Sequence, residues 1–271
     1  LNRSMIFHVI ELSSGTVQKE IRVNMSDFLP HSNDNSMIVS HTINGYFDNN
    51  TIAGKHKQHL ILDVIGYDFL FFDRFSSDEI NNKTNRDHGI YSDKRAKTFR
   101  FTLDVELGVA VNVIELLPLS DWEFPIINEK YKGLPYCFAY GYEFRHNNTL
   151  TGAEGAEGAE GAEGATGMAS MAMVKYNMCG GVSEVTGKRD NQVFTRPYHY
   201  FSEPWFVGKP NGTSEDDGVV LVLALNGAVG KGVLFVLNAT DLKVMATIQL
   251  PGLVNLKTHG RFVWSKKQKQ L

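Results

Sequence analysis

The side chains best suited to chemistry in this sequence are two histidines and two glutamates, each in an unusual local setting. His41 stands in Val39-Ser40-His41-Thr42-Ile43-Asn44-Gly45-Tyr46, a β-like stretch that Asp48-Asn49-Asn50 is expected to close with a turn. His259 stands in Thr258-His259-Gly260-Arg261-Phe262, where the glycine lets backbone come close to whatever the imidazole holds. Glu123 lies in Trp122-Glu123-Phe124-Pro125-Ile126-Ile127-Asn128, and Glu203 in Ser202-Glu203-Pro204-Trp205-Phe206-Val207. Taken alone, a histidine in a strand is more often a hydrogen-bonded core residue than a ligand, and a lone glutamate a solvated acid or a turn cap. The sharper alternative is a metal site. A neutral imidazole that binds a cation through one nitrogen must donate its other N–H, and an acceptor carboxylate fixes that tautomer and raises ligand basicity.

Other groups point nowhere specific. His56 and His59 form a His-x-x-His in Lys55-His56-Lys57-Gln58-His59, but two lysines beside a cation site argue for a solvated basic loop. His8, His31, His88, His146 and His199 have no setting that assigns them a role. Asp216-Asp217-Gly218 reads as a turn before Val219-Val220-Leu221-Val222, not as an acid pair for hydrolysis. No phosphate-binding glycine loop and no nucleophile elbow is present in the sequence.

The elements that must position these groups are strands. Short runs rich in Val, Ile, Phe, Tyr and Thr, broken by Gly, Asn, Asp and Ser, recur throughout and predict an all-β fold. One hairpin pattern repeats: Phe7 to Glu11 followed by Glu20 to Val23 resembles Phe235 to Asn238 followed by Thr247 to Leu250, with Met173 to Tyr176 as a third copy. Repeated antiparallel hairpins fit the blades of a β-propeller, and equally a sandwich or barrel of unrelated hairpins. The aromatics of Leu70 to Phe75 fall at helical spacing, and Asn81 to Lys97 reads as a polar loop. Thr151 to Thr166 repeats Gly-Ala-Glu four times before Gly-Ala-Thr; lacking aromatic and β-branched core residues, it reads as a surface insertion. The basic tail around Lys266 reads as a frayed end.

Composition sets the outer bounds. At 271 residues, with 42% hydrophobic and 21% charged residues, the chain can bury a substantial core. A net charge of −3 argues against nucleic acid, and no window of 18 uncharged apolar residues would cross a bilayer. Two cysteines, Cys137 and Cys179, do not make a disulfide framework and suggest a reducing compartment. The opening Leu1-Asn2-Arg3-Ser4 runs straight into a strand without an initiator Met, as expected of a piece of a longer protein.

Several of these stretches together resemble the C-terminal part of the carotenoid cleavage oxygenases. The similarity is carried by His41 with Asn44 and Tyr46, and by Trp122 to Asn128 continuing through Tyr131, Gly133, Pro135 and Tyr136 into Ala139-Tyr140-Gly141. Ser202-Glu203-Pro204, Glu215-Asp216-Asp217-Gly218 and His259-Gly260 with Phe262 extend it. Ser40 departs from the usual aromatic, and Phe47 from the usual acid.

The resemblance implies the C-terminal blades of a seven-bladed β-propeller with a few short helices and cap loops, one domain across residues 1–271 with 151–166 inserted. It implies Fe²⁺ bound by His41 and His259 together with two histidines from an absent N-terminal half. Glu123 and Glu203 would hold the ligand imidazoles, and Trp122, Phe124, Trp205 and Phe206 would wall an apolar substrate tunnel, with packing between blades as the alternative for each. The implied activity is oxidative cleavage of a carotenoid double bond with O₂ to aldehydes, retinal from the central bond, which can be coupled to isomerisation. The wording is similar to animal members, among them the insect retinal-forming isomerooxygenase of vision. A retinoid isomerohydrolase acting on a retinyl ester is the rival within the family, and a propeller binding module without metal the rival outside it. Cytoplasmic placement with peripheral membrane contact is the expected localisation.

Overall fold

Alternation of apolar and polar side chains builds the sheets. In β12 (Gly218–Asn226) and β13 (Lys231–Asn238), Val220, Val222 and Ala224 are buried beside Val233, Phe235 and Leu237, with less buried positions between them. The structure is a computed structural model that describes residues 4–28, 37–52, 55–67, 95–117, 120–146, 168–180, 191–254, 259–260 and 262–263.

Among the described residues, strands follow one another as antiparallel neighbours in three four-stranded sheets. The first contains β3 (Ile38–Ile52), β4 (Lys55–Tyr67), β5 (Lys97–Asp104) and β6 (Val109–Glu115). The second contains β7 (Trp122–Ile126), β8 (Phe138–His146), β9 (Met168–Asn177) and β10 (Gln192–Thr195). The third contains β11 (His199–Gly208), β12, β13 and β14 (Val244–Gln249). A two-stranded hairpin, β1 (Met5–Ile10) and β2 (Val17–Val23), precedes them. The expected hairpins at both ends of the chain and at Met173 to Tyr176 are therefore present. Because each sheet is completed before the next begins, the arrangement is that of propeller blades and not of a sandwich, whose chain crosses between two sheets.

Apolar cores lie between successive blades. Ile21 and Val23 of the hairpin pack with Phe101 and Val113 of the first blade. Ile43, Ile65 and Tyr67 pack with Trp122, Ala139 and Tyr176 of the second. Tyr140, Phe144 and Met173 pack with Phe201, Val222 and Phe235 of the third. The leading strands β3, β7 and β11 are neighbours in space, β7 touching both others. Buried polar ties reinforce the joints. Arg100 donates two bonds of 2.7 Å to Asp63, which also accepts the Tyr136 hydroxyl at 2.6 Å. Burial first, and the Asp63 charge second, push the Tyr136 phenol well above its ordinary pKa. Glu215 accepts the Cys137 and Phe138 N–H groups from the second blade; burial nevertheless raises its pKa.

Some sequence expectations are corrected. Asp48-Asn49-Asn50 is not a turn: β3 continues through it, paired with Lys57, Gln58 and His59 of β4. The His56–His59 stretch is strand, not loop, and His59 is buried 3.9 Å from Asp104. Lys97 starts β5 instead of ending a loop. Cys137 and Cys179 form a disulfide with Cα atoms 4.8 Å apart, because pairing of Phe138 with Asn177 brings the flanking residues together. Closing that 42-residue separation is worth about 4 kcal/mol on chain-entropy grounds. The Leu70 to Phe75 helix, the Gly-Ala-Glu repeat and the basic tail lie outside the described residues.

Candidate metal centre

Each leading strand carries a register break where a site residue stands. In β3 the pairing skips Ser40 and Ile43, on either side of His41 and Thr42. In β7, Phe124 and Pro125 together oppose the single residue Gly141 of β8. In β11, Ser202 and Glu203 together oppose Leu223 of β12. Such bulges bend a strand and re-aim its side chains, and here they turn polar groups out of three regular apolar patterns.

The result joins two imidazoles to two carboxylates. His41 Nδ1 lies 2.6 Å from Glu123 Oε2, so a strand of the first blade is bonded to one of the second. The Tyr67 hydroxyl donates to the other oxygen, Glu123 Oε1, and the carboxylate is 2% exposed. His259 Nδ1 lies 3.3 Å from Glu203 Oε1, while the Gly260 N–H donates to Glu203 Oε2 at 2.7 Å. The two imidazole centroids are 5.9 Å apart at an interplanar angle of 69°. Phe124 sits against both rings, 4.8 Å from His41 and 5.4 Å from His259, and stacks on Tyr142 at 5.3 Å. Its backbone has φ of 54°, a left-handed conformation that costs a non-glycine residue about 1–3 kcal/mol and tends to mark functional positions. Gly141 makes this bulge possible, since a Cβ there would lie 2.7 Å from the Glu123 carbonyl.

Asn44, three residues beyond His41, ties the site to the next blade. Its amide donates to the carbonyls of Tyr131 and Leu134, and its oxygen accepts the Gly133 N–H. Of the other residues considered from sequence, Trp122 is fully buried against Tyr176 and donates to Thr98, and Phe206 packs on Tyr140 in the core between blades. Trp205 is half-buried on β11, paired with Leu221. Tyr67 escaped sequence reasoning, for it closes an apolar strand 56 residues before the glutamate it bonds and no local pattern marks it.

Comparisons with known proteins show the family and the fold. The model of the family described as RPE65, retinal pigment epithelial membrane protein, matches residues 2–264. The chain belongs to that family, which is the carotenoid cleavage oxygenase family. A carotenoid cleavage oxygenase of Mycobacterium tuberculosis is 27% identical over 224 residues, which is 83% of this chain and 37% of that protein. The apocarotenoid-15,15'-oxygenase of Synechocystis is 27% identical over 220 residues, covering 80% of this chain and 38% of the relative. The chain thus spans less than two fifths of the length of these curated relatives. Among solved structures, cobalt-substituted Synechocystis apocarotenoid oxygenase superposes with a TM-score of 0.67 at 22% identity, covering 97% of this chain and 45% of the other. A chimera of that oxygenase and RPE65 gives 0.64 at 22% identity over 95% and 43%. These likenesses place the fold among the β-propellers of the carotenoid oxygenase family.

The donor set fits a divalent transition metal. Both imidazoles spend Nδ1 on a carboxylate, which leaves Nε2 as the remaining ligand atom. The ring centroids are 5.9 Å apart, so the two side chains belong to one place in the fold. Neutral imidazoles bring no charge, and the two glutamates would offset the charge of the ion. Among the described residues no cluster of three or more His, Cys, Asp or Glu side chains suits a metal, so His41 and His259 do not make a complete shell by themselves.

Proposed function

We propose that His41 and His259 bind ferrous iron together with two further histidines from a part of the protein outside this chain, and that the whole enzyme splits a carotenoid double bond with O₂ into two aldehydes. The observation that carries this reading is the convergence of two histidines from opposite ends of the chain, each held at Nδ1 by its own glutamate. Iron bound by imidazoles with positions left open supplies O₂ activation. The reaction balances without another reductant: both oxygen atoms of O₂ enter the products, one on each former alkene carbon. The central bond of a carotenoid would give retinal.

The chain's own residues do the rest. Glu123 and Glu203 keep protons on the Nδ1 atoms, so each ring presents the unprotonated Nε2. Phe124, tilted by 50° and 55° against the two imidazoles and backed by Tyr142, excludes water from one side and offers an apolar surface to a polyene. The substrate's apolarity favours uptake at a membrane surface, and peripheral membrane contact belongs to this proposal; among the described residues no helix is long and apolar enough to cross a bilayer.

Elemental analysis of the full-length protein after anaerobic preparation tests the metal, with about one iron per molecule expected and none overturning the proposal in favour of a binding module. Product analysis tests the reaction. Aldehydes from β-carotene support cleavage, whereas turnover of retinyl ester alone would make the protein an isomerohydrolase with the same ligands. An isomerised retinal product would show that isomerisation accompanies the cut.

A further inference from the structure

Tyr67 is fully buried at the end of β4, on the first blade, and its hydroxyl donates to Glu123 of the second. The two oxygens of Glu123 have separate duties. Oε1 takes the phenol, while Oε2 takes His41 Nδ1 at 2.6 Å and, at 3.3 Å, the Phe124 N–H. The last torsion of a glutamate is broad and roughly two-fold, so a carboxylate held at one oxygen swings easily. A carboxylate gripped at both oxygens does not. Glu203 reaches the same end differently, since there the Gly260 N–H grips the second oxygen.

We infer that Tyr67 is a positioning residue for the metal centre: by holding Glu123 Oε1 it keeps Oε2 aimed at His41 Nδ1, and so fixes the direction in which His41 presents Nε2. The inference rests on the proposed role of His41 as a ligand, and it extends the site one residue further into the first blade. A buried phenol needs an acceptor wherever it lies. Here that acceptor is the group orienting the imidazole, which a merely space-filling tyrosine would not require.

Tyr67→Phe in the full-length protein removes the hydroxyl and keeps the packed ring. Tyr140→Phe is the control, because Tyr140 is equally buried but its hydroxyl donates to the Ala239 carbonyl in the core between the second and third blades. Two readouts are taken. In metal-free protein, the Nδ1–H proton of His41, assigned by its loss in His41→Gln, should exchange with water at least several-fold faster in Tyr67→Phe and unchanged in Tyr140→Phe. With cobalt(II) as the probe, the apparent Kd should rise about 10-fold in Tyr67→Phe only. Unchanged proton exchange and unchanged cobalt affinity in Tyr67→Phe, or equal changes in both variants, would overturn the inference. If the wild-type protein binds no cobalt, the ligand assignment itself fails; the metal-free proton exchange then still decides whether Tyr67 holds the carboxylate in place.

Discussion

The two histidine–glutamate pairs are the same chemical unit built in two ways. His41 and Glu123 both stand on sheet strands, with side chains 25% and 2% exposed, and the carboxylate is gripped by a phenol and an imidazole from the neighbouring blade. His259 stands beyond the last described strand, 68% exposed, and its partner Glu203 is gripped by that imidazole and by the very next backbone N–H. The first pair is held by cores on both sides. The second is held by its own short segment, and its imidazole is open to solvent among the described residues. Burial raises the value of each hydrogen bond and the cost of leaving one unmade, so the same mutation should read differently at the two sites.

Substitutions can break or sharpen this contrast. Gly141→Ala should do most damage: the new Cβ would lie 2.6 Å from the Trp122 ring and 2.7 Å from the Glu123 carbonyl. Forced relaxation of a packed site costs about 1–3 kcal/mol or more, measurable as a lower denaturant midpoint, and it should weaken metal binding through the first pair alone. Glu123→Gln comes next. A Gln side chain has one acceptor oxygen where Tyr67, His41 and Phe124 all donate, so at least one buried bond is lost at about 1–3 kcal/mol, with iron or cobalt affinity reduced about 10–100-fold. Glu203→Gln should be milder, about 10-fold or less in affinity with a denaturant midpoint close to wild type, because its bond to the imidazole is long, 3.3 Å against 2.6 Å at Glu123, and has less to lose. Gly260→Ala should change almost nothing, for its Cβ meets no described atom within 4 Å. Equal losses from Glu123→Gln and Glu203→Gln, in affinity and in stability, would show that the contrast in burial has no energetic consequence.

Much of this was legible in the chain itself. Alternation in stretches such as Glu20 to Val23 and Phe235 to Asn238 reveals hairpins, because a pleated strand writes its two faces into consecutive residues. His41, His259, Glu123 and Glu203 stood out only through the resemblance of their motifs to the family's, since taken alone each reads as an ordinary core or solvated residue. Less legible was what depends on pairing between distant strands. The Cys137–Cys179 bond follows from the β8–β9 register, and the burial of His59 from Asp104 on the adjacent strand, and neither leaves a local trace. Tyr67 is hidden for the same reason. The run Asp48-Asn49-Asn50 misleads because turn-forming residues can sit in a long strand when the partner strand supplies the hydrogen bonds.

The register breaks in the three leading strands have a consequence for how such a site can arise or be lost. Side chains in a pleated ribbon keep count in twos, and one surplus residue exchanges inside for outside from there on. A single-codon insertion or deletion near Ser40, Phe124 or Ser202 would therefore redirect the histidine and glutamate side chains while leaving every downstream hairpin free to resume its count at the next turn. The two histidine–glutamate pairs can be made or lost on this scaffold by arithmetic, without rewriting the interiors that keep the blades together.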